Sequence, residues 1–150
     1  MYDAGKWQEL KFNIKTKLQF GSLLEEEEQL LMNMKPNVLY VPSDSKFPIA
    51  DMFWEEQVEN GRRKVCGIQV TFASTRSKPL SSYQEFVDRL GLDMEKDELV
   101  LYFVTNPMFT QKYAKRKKSS FFEGENSINS WNIKFITLRA DRLNLHQDYS

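Results

Sequence analysis

Polar side chains interrupt two apolar stretches of the sequence, at positions where an apolar residue would be buried at less cost. The segment FPIADMFWEEQVENGRRKVCGIQVT, residues 47–71, has the pattern of two β-strands joined by a polar turn, yet it contains Asp51, Gln69 and Thr71. Because side chains alternate between the two faces of a strand, Gln69 and Thr71 share one face. Pairing of the two strands around Gly61 would bring Asp51 next to them. The sequence therefore predicts that a carboxylate, a carboxamide and a hydroxyl converge on a sheet.

Several other chemistries are excluded by residue content. Cys66 is the only cysteine and His146 the only histidine, which excludes a disulfide framework and any zinc site built from three or four His and Cys ligands. The same scarcity leaves no plausible Ser/His/Asp or Cys/His nucleophile. Neither G-x-x-x-x-G-K-[ST] nor G-x-G-x-x-G occurs, so the phosphate-binding loops of ATPases and dinucleotide enzymes are missing. Carboxylates, amides and hydroxyls remain as the candidate functional groups.

Length and composition predict one domain, residues 1–150. The 150 residues are 41% hydrophobic, enough for one sizeable core, and the 21 basic residues balance the 21 acidic ones. Electrostatic attraction of a charged partner must therefore depend on a local cluster of charges and not on the net charge. No apolar run approaches the roughly 18 residues of a membrane-spanning helix, and the first ten residues lack the apolar core of a signal peptide. We expect a soluble intracellular protein in a reducing compartment, with no membrane partner.

The elements that must position the polar groups begin with a helix. Leu10 to Phe20 alternates as a strand or arm would, and from Phe20 to Met34 the apolar residues recur at helical spacing and stop before Pro36. Of the four consecutive glutamates 25–28, Glu27 alone falls in this apolar stripe. A second carboxylate is thus predicted to face the sheet.

Six further segments complete the predicted order of elements. Three strands, NVLYV, PIADMFW and KVCGIQVTFA, suggest a meander. The segment LSSYQEFVDRLGL predicts a second helix, with Ser81 or Ser82 as its N-cap and Gly91 as its end. ELVLYFVTN and WNIKFITLRA, about residues 131–139, predict two more strands. The order is helix, three strands, helix, strand, a basic segment and a last strand.

This arrangement resembles the PD-(D/E)XK nuclease core, an αβββαβ unit. The more specific resemblance is to the nuclease-like domain of the retrotransposon hot spot proteins and the Crinkler effectors, where a phrase like YVPxSxxFPxxDxFx…VxGxQxTxAS recurs. Here it stands as YVPSDSKFPIADMFWEE, then KVCGIQVTFASTRSKPLSSYQEFVDRLG and ELVLYFVTNP. The match covers roughly residues 38–107, within a core of about 20–107. It implies an α/β, restriction-endonuclease-like fold with a central mixed sheet and extra N- and C-terminal strands.

The resemblance also implies a metal site. Family members gather carboxylates around Mg²⁺ or Mn²⁺, which polarises the scissile phosphate, and a lysine assists the attacking water. In this sequence the implied catalytic positions are Asp51, Gln69, Thr71 and Glu27, and the implied metal ligands are Asp51, Gln69 and Glu27. Gln69 stands in place of the second acid and Thr71 in place of the lysine, which lowers the expected metal affinity. Another cation would have to replace that lysine, and the candidates are Lys64, Lys78 and Arg76.

Two basic segments are the predicted contacts for DNA or RNA. The run KYAKRKK, residues 112–118, contains no acid, and GRRK, residues 61–64, occupies the turn beside the predicted site. Such runs hold phosphates or serve as a nuclear import signal, and the alternative is a solvated loop. The nucleic-acid-binding candidates are Arg62, Arg63, Lys64, Lys78, Lys112, Lys115, Arg116, Lys117 and Lys118.

Two functions of different classes follow. The first is a nucleic-acid-binding domain of nuclease fold, extending to a divergent magnesium-dependent endonuclease with a D…QxT site. The alternative is a catalytically inactive protein-interaction or scaffolding module, in the nucleus or in a host-targeted effector. The ATPase domain that usually accompanies such modules is absent from this chain, so an ATPase domain or subunit is an implied partner. The plain alternatives are a solvated Asp51, an exposed sheet face at Gln69 and Thr71, and a Glu27 at the edge of its helix.

Overall fold

The apolar runs of the sequence fold into a six-stranded mixed sheet that carries helices on one face. The computed structural model describes residues 2–3, 6–7, 12–21, 24–44, 46–56, 60–71, 78–105, 108, 112, 122–123 and 131–139. Within them the strands are β1 Tyr2–Asp3, β2 Lys6–Trp7, β3 Thr16–Phe20, β4 Val38–Pro42, β5 Met52–Glu56, β6 Lys64–Thr71, β7 Lys78–Pro79, β8 Glu98–Thr105, β9 Phe122–Glu123 and β10 Ile133–Arg139. The helices are α1 Leu24–Met32 and α2 Leu80–Leu90. The predicted α/β class is confirmed.

The main sheet combines a meander with a parallel half. Its strand order is β10, β8, β6, β5, β4, β3. Strands β4, β5 and β6 pair antiparallel, as the predicted meander requires, while β6, β8 and β10 are parallel. The turn between β5 and β6 contains Asn60 and Gly61, both with positive φ, which is typical of tight hairpin turns. The order α1, β4, β5, β6, α2, β8 contains the predicted succession of elements.

Three local predictions were wrong. Phe20 ends β3 instead of starting the first helix, because residues 16–20 pair in parallel with β4. The PIAD part of the second predicted strand forms a turn, and β5 starts at Met52. The N-cap of α2 is Pro79, with no side-chain cap hydrogen bond, so the predicted serine cap does not form. The end at Gly91 is confirmed, since Gly91 adopts the left-handed conformation.

The sheet separates two apolar clusters. On the helix face, Leu31 of α1 and Phe86 of α2 pack with Phe53 and Leu101 of the sheet. On the opposite face, Phe12 covers Trp54 and Tyr102, with ring centroids 4.6 and 5.0 Å from its own. Both faces of β6 and β8 are therefore buried, which explains their nearly continuous apolar sequences.

No helix in the described ranges is long and apolar enough to cross a membrane.

Candidate functional site

Asp51 lies at the end of a turn that runs into β5, and it is tied to the neighbouring strand β6. Its backbone N–H donates to the carbonyl of Ile68 at 2.8 Å. Its carboxylate Oδ2 accepts the N–H of Val70 at 2.7 Å. The side chain of Asp51 thus substitutes for a backbone carbonyl at the point where the β5–β6 ladder ends. Asp51 therefore reaches the strand of Gln69, but its carboxylate is exposed and bonds the backbone of Val70, so convergence with the Gln69 side chain stays a prediction.

Gln69 is a buried polar residue with an unsatisfied oxygen. It is 3% exposed and faces the helix side of the sheet, the side on which Gly67 lies against Ala50 and Leu101. Among the residues that the structure describes, its Oε1 has no hydrogen-bond partner. A buried acceptor without a donor is unfavourable by about 1–3 kcal/mol, so native proteins rarely leave one without a reason. The alternative of an exposed sheet face is wrong for Gln69 and for Thr71, which is also buried.

Further buried polar residues lie near the carboxyl ends of the parallel strands, on the face of the sheet that contains Gln69. Thr71 is paired with Thr105 in the β6–β8 register, and Thr137 of β10 lies in the same row as Gln69, with Phe103 between them. Both additional threonines are buried. We call Asp51, Gln69, Thr71, Thr105 and Thr137 the polar corner. In open α/β sheets this end of the strands is where ligands bind.

The sequence interpretation overlooked Thr105 and Thr137. The signal was present, because Ile133, Phe135 and Thr137 alternate along one face of the last strand, and Thr105 ends an otherwise apolar run. Only the parallel pairing of β6, β8 and β10 shows that these threonines share the end and the face of the sheet that contain Gln69.

Glu27 points toward the sheet as its helical position predicts, but it has another partner. It is 7% exposed, and its Oε1 accepts a hydrogen bond from Nη1 of Arg89 at 3.2 Å. Arg89 also bonds Glu85 and lies over the ring of Phe47, 5.2 Å from the centroid. Glu27 and Arg89 line a shallow depression with Phe20, Gly21, Pro42, Asp44 and Phe47. Neither Asp51 nor Gln69 lines it, so among the residues that the structure describes Glu27 is not grouped with the polar corner.

The polar corner offers few ligands for a divalent metal ion. In the ranges that the structure describes, no group of three or more His, Cys, Asp or Glu side chains is arranged to hold a metal ion. Asp51 and Gln69 do offer hard oxygen donors, and the unpartnered Oε1 of Gln69 is an acceptor that a cation would satisfy. Magnesium usually retains several waters and uses one or two carboxylates, which is compatible with a single aspartate.

The cations of GRRK are not beside this corner, which corrects the sequence interpretation. The hairpin turn and Lys64 lie at the start of β6, about 17 Å from Gln69 for five residues of extended strand. Arg63 is used internally: its Nε pairs with Glu55, and its Nη1 donates to the carbonyl of Leu90 at 2.6 Å. Lys64 shares the opposite face of β6 with Cys66 and pairs with Glu56 at 3.2 Å.

Electrostatics at that hairpin end stabilise the charged lysine. Burial lowers the pKa of Lys64, but the hydrogen bond and the negative charge of Glu56 outweigh it, so the pKa lies above its ordinary value of 10.5. Burial raises the pKa of the neighbouring Cys66 thiol and of the Tyr102 phenol. The thiol therefore stays protonated and is a poor nucleophile.

The structure describes only some of the remaining basic residues that were predicted to contact nucleic acid. Arg62 and Lys112 are exposed. The backbone of Lys78 pairs with Phe122 in a two-stranded sheet of β7 and β9. Lys115, Arg116, Lys117, Lys118 and Arg76 lie outside the described residues.

No protein-family model, curated protein or solved structure matches this chain.

Proposed function

We propose that this protein is a nucleic-acid-binding domain of the restriction-endonuclease-like type, related to the modules of the retrotransposon hot spot proteins and Crinkler effectors. In this proposal the polar corner holds one Mg²⁺ or Mn²⁺ ion. The observation that carries it is the Asp51 carboxylate bonded to the N–H of Val70, the residue that follows Gln69, whose buried Oε1 has no hydrogen-bond partner among the described residues. The mixed sheet and the succession of α1, β4, β5, β6, α2 and β8 support it.

The proposed metal site is weaker than that of a full nuclease. Asp51 contributes the single negative charge and Gln69 a neutral carbonyl oxygen, while Glu27 is neutralised by Arg89. A bound divalent ion would supply positive charge next to a phosphodiester. The chain's own part is to hold the two oxygen donors in place and to exclude bulk water from Gln69, which is almost completely buried.

The nucleic acid would be held mainly by charges away from the corner. Arg63, Lys64, Arg89 and Lys134 are each engaged with a glutamate. Exposed Arg62 and Lys112 are therefore the described cations that we propose as phosphate contacts, together with the remainder of the 112–118 segment. That segment is also the proposed nuclear import signal, and an ATPase domain or subunit remains the proposed partner.

A metal titration observed by NMR tests the proposed corner. Adding Mg²⁺, and then Mn²⁺ for paramagnetic broadening, should change the side-chain amide signal of Gln69 and the backbone amide signal of Val70. Asp51→Asn should abolish these changes, because it removes the charge but keeps an oxygen that can accept the N–H of Val70. Asp44→Asn removes an exposed charge elsewhere and should leave them intact. The absence of any change at millimolar metal in the unmodified chain would contradict the metal site.

A binding assay tests the nucleic-acid part separately. Labelled single- and double-stranded DNA and RNA should bind with an affinity that falls as salt rises. Replacing Arg62 by Ala should weaken binding to all sequences by a similar factor and reduce the salt dependence. Binding that is absent at low salt for all four substrates would overturn this part.

One observation favours the inactive alternative as a second candidate. The ion pair of Glu27 with Arg89 occupies the carboxylate that the family uses from its first helix. We propose on this basis, as the second candidate, a catalytically inactive protein-interaction or scaffolding module. Cleavage that requires metal and is lost in Asp51→Asn would reject this candidate in favour of the endonuclease.

A further inference from the structure

The turn that carries Asp51 contains a residue in an unfavourable backbone conformation. Ile49 has φ 65°, and the N–H of Ala50 donates to the carbonyl of Pro48 at 2.8 Å, which closes a three-residue γ-turn. Positive φ is uncommon outside glycine, and for a β-branched side chain it is a real outlier. Such a conformation persists only where its surroundings impose it.

The surroundings of Ile49 do impose it. The Ile49 side chain is buried in the cluster on the helix face, together with Phe53. The next residue, Ala50, lies directly over β6: a Cβ atom on Gly67 would come within 3.1 Å of the Ala50 methyl. Residue Asp51 then makes its two hydrogen bonds to β6. Burial of the Ile49 side chain therefore stabilises a turn whose backbone would otherwise relax to negative φ.

We propose that Ile49 is the positioning residue of the polar corner. Its buried side chain keeps the strained turn in place, and the turn fixes the Asp51 carboxylate on the N–H of Val70, beside Gln69. Glycine would satisfy the positive φ without strain, but it would supply no anchor in the core. The benefit of this placement for metal binding rests on the function proposed above, whereas the placement itself does not.

Three substitutions separate anchoring from packing. Ile49→Ala removes the anchor but keeps the strain, so the turn should relax to negative φ and release Asp51. Ile49→Gly removes nearly the same side chain and also the strain, so the turn should persist. Ile49→Val keeps most of the anchor and should resemble the unmodified chain.

Amide hydrogen exchange of Val70, measured relative to the most protected amides of each variant, gives the readout. We expect exchange about tenfold faster in Ile49→Ala than in Ile49→Gly, the factor that corresponds to a strain of this kind. A role in packing alone predicts equal exchange in the Ala and Gly variants, and that result would overturn the proposal. In the unmodified chain, a strong intraresidue amide-to-Hα Overhauser effect at Ile49 should report the positive φ. Its absence would also overturn the proposal, even if both truncated variants failed to fold.

Broadening of the Gln69 side-chain amide by Mn²⁺ should be weaker in Ile49→Ala than in Ile49→Gly, because the Ala variant releases Asp51. If Val70 exchange follows the expected order and Mn²⁺ has no effect on any chain, the metal site fails and the positioning role stands. If Mn²⁺ broadens Gln69 equally in the Ala and Gly variants while their Val70 exchange is equal, the metal site stands and the positioning role fails.

Discussion

The two ends of strand β6 differ in how their polar groups are satisfied. At the hairpin end the Arg63 guanidinium bonds Glu55 and the Leu90 carbonyl, and Lys64 pairs with Glu56. Buried Asp97 joins this end, because its two carboxylate oxygens accept the N–H groups of Arg63 and Asp93, both at 2.9 Å. Charged groups here connect β5, β6 and the end of α2.

The opposite end of β6 contains the polar corner, where the balance is reversed. Gln69 buries an oxygen that has no donor in the part of the chain that the structure describes, and the turn before Asp51 keeps Ile49 at positive φ. Both features lower stability, and both lie within two residues of Asp51 or Val70. The hairpin end stabilises the fold because its cations are paired, whereas the end with few charges contains a buried oxygen with no donor among the described residues.

The largest expected effect of a substitution is at the hairpin end. Arg63→Met should lower the free energy of unfolding by about 2–4 kcal/mol, because it leaves the mostly buried Glu55 carboxylate and the Leu90 carbonyl without their donor. The adjacent Arg62→Met is the matched control, since exposed Arg62 should change stability by less than about 0.5 kcal/mol. Chemical denaturation of both variants is the measurement. Equal, small effects would show that Arg63 is a surface cation after all and would restore it as a nucleic-acid contact.

A smaller effect is expected from a methyl group placed under the turn. Gly67→Ala should lower stability by about 1–2 kcal/mol, because its Cβ would come within 3.0 Å of Leu101 Cδ2 and 3.1 Å of Ala50 Cβ, and Ala50 moves only with the turn. Faster Val70 amide exchange should accompany the loss. Gly21→Ala is the control, because nothing lies within 4 Å of its new Cβ and no such loss is expected. A neutral Gly67→Ala with unchanged exchange would mean that the turn is not packed firmly on β6.

The sequence predicts those parts of the fold that depend on local apolar periodicity. The strands β6, β8 and β10 and the inward face of α2 follow directly from it, and Gly91 ends α2 as expected. The errors arise where distant pairing overrides local pattern. Phe20 ends a strand instead of starting a helix because it pairs in parallel with β4, and the residues before Met52 form a turn because Ile49 is anchored in the core.

The candidate site was predictable to a similar extent. Strand alternation and a hairpin suffice to bring Asp51 to the strand of Gln69. Helical spacing suffices to bury Glu27, but its partner Arg89 is 62 residues away and no local pattern indicates it. Burial of Gln69 and its lack of a donor among the described residues depend on packing from the whole sheet, so residue types and spacing alone left an exposed face open as an alternative.

The smallest expected effect is the one that separates the two ends of β6 most clearly. Gln69→Leu replaces the unsatisfied carboxamide with an apolar side chain of similar size, so the free energy of unfolding should rise by about 1 kcal/mol while any metal response at Val70 disappears. Gln19→Leu, on the exposed edge strand β3, is the control and should leave both quantities nearly unchanged. Thermal denaturation and the Val70 amide signal under added Mn²⁺ measure the two effects. Lower stability in Gln69→Leu would mean that the carboxamide is satisfied in the folded chain, and the two ends of β6 would then be alike.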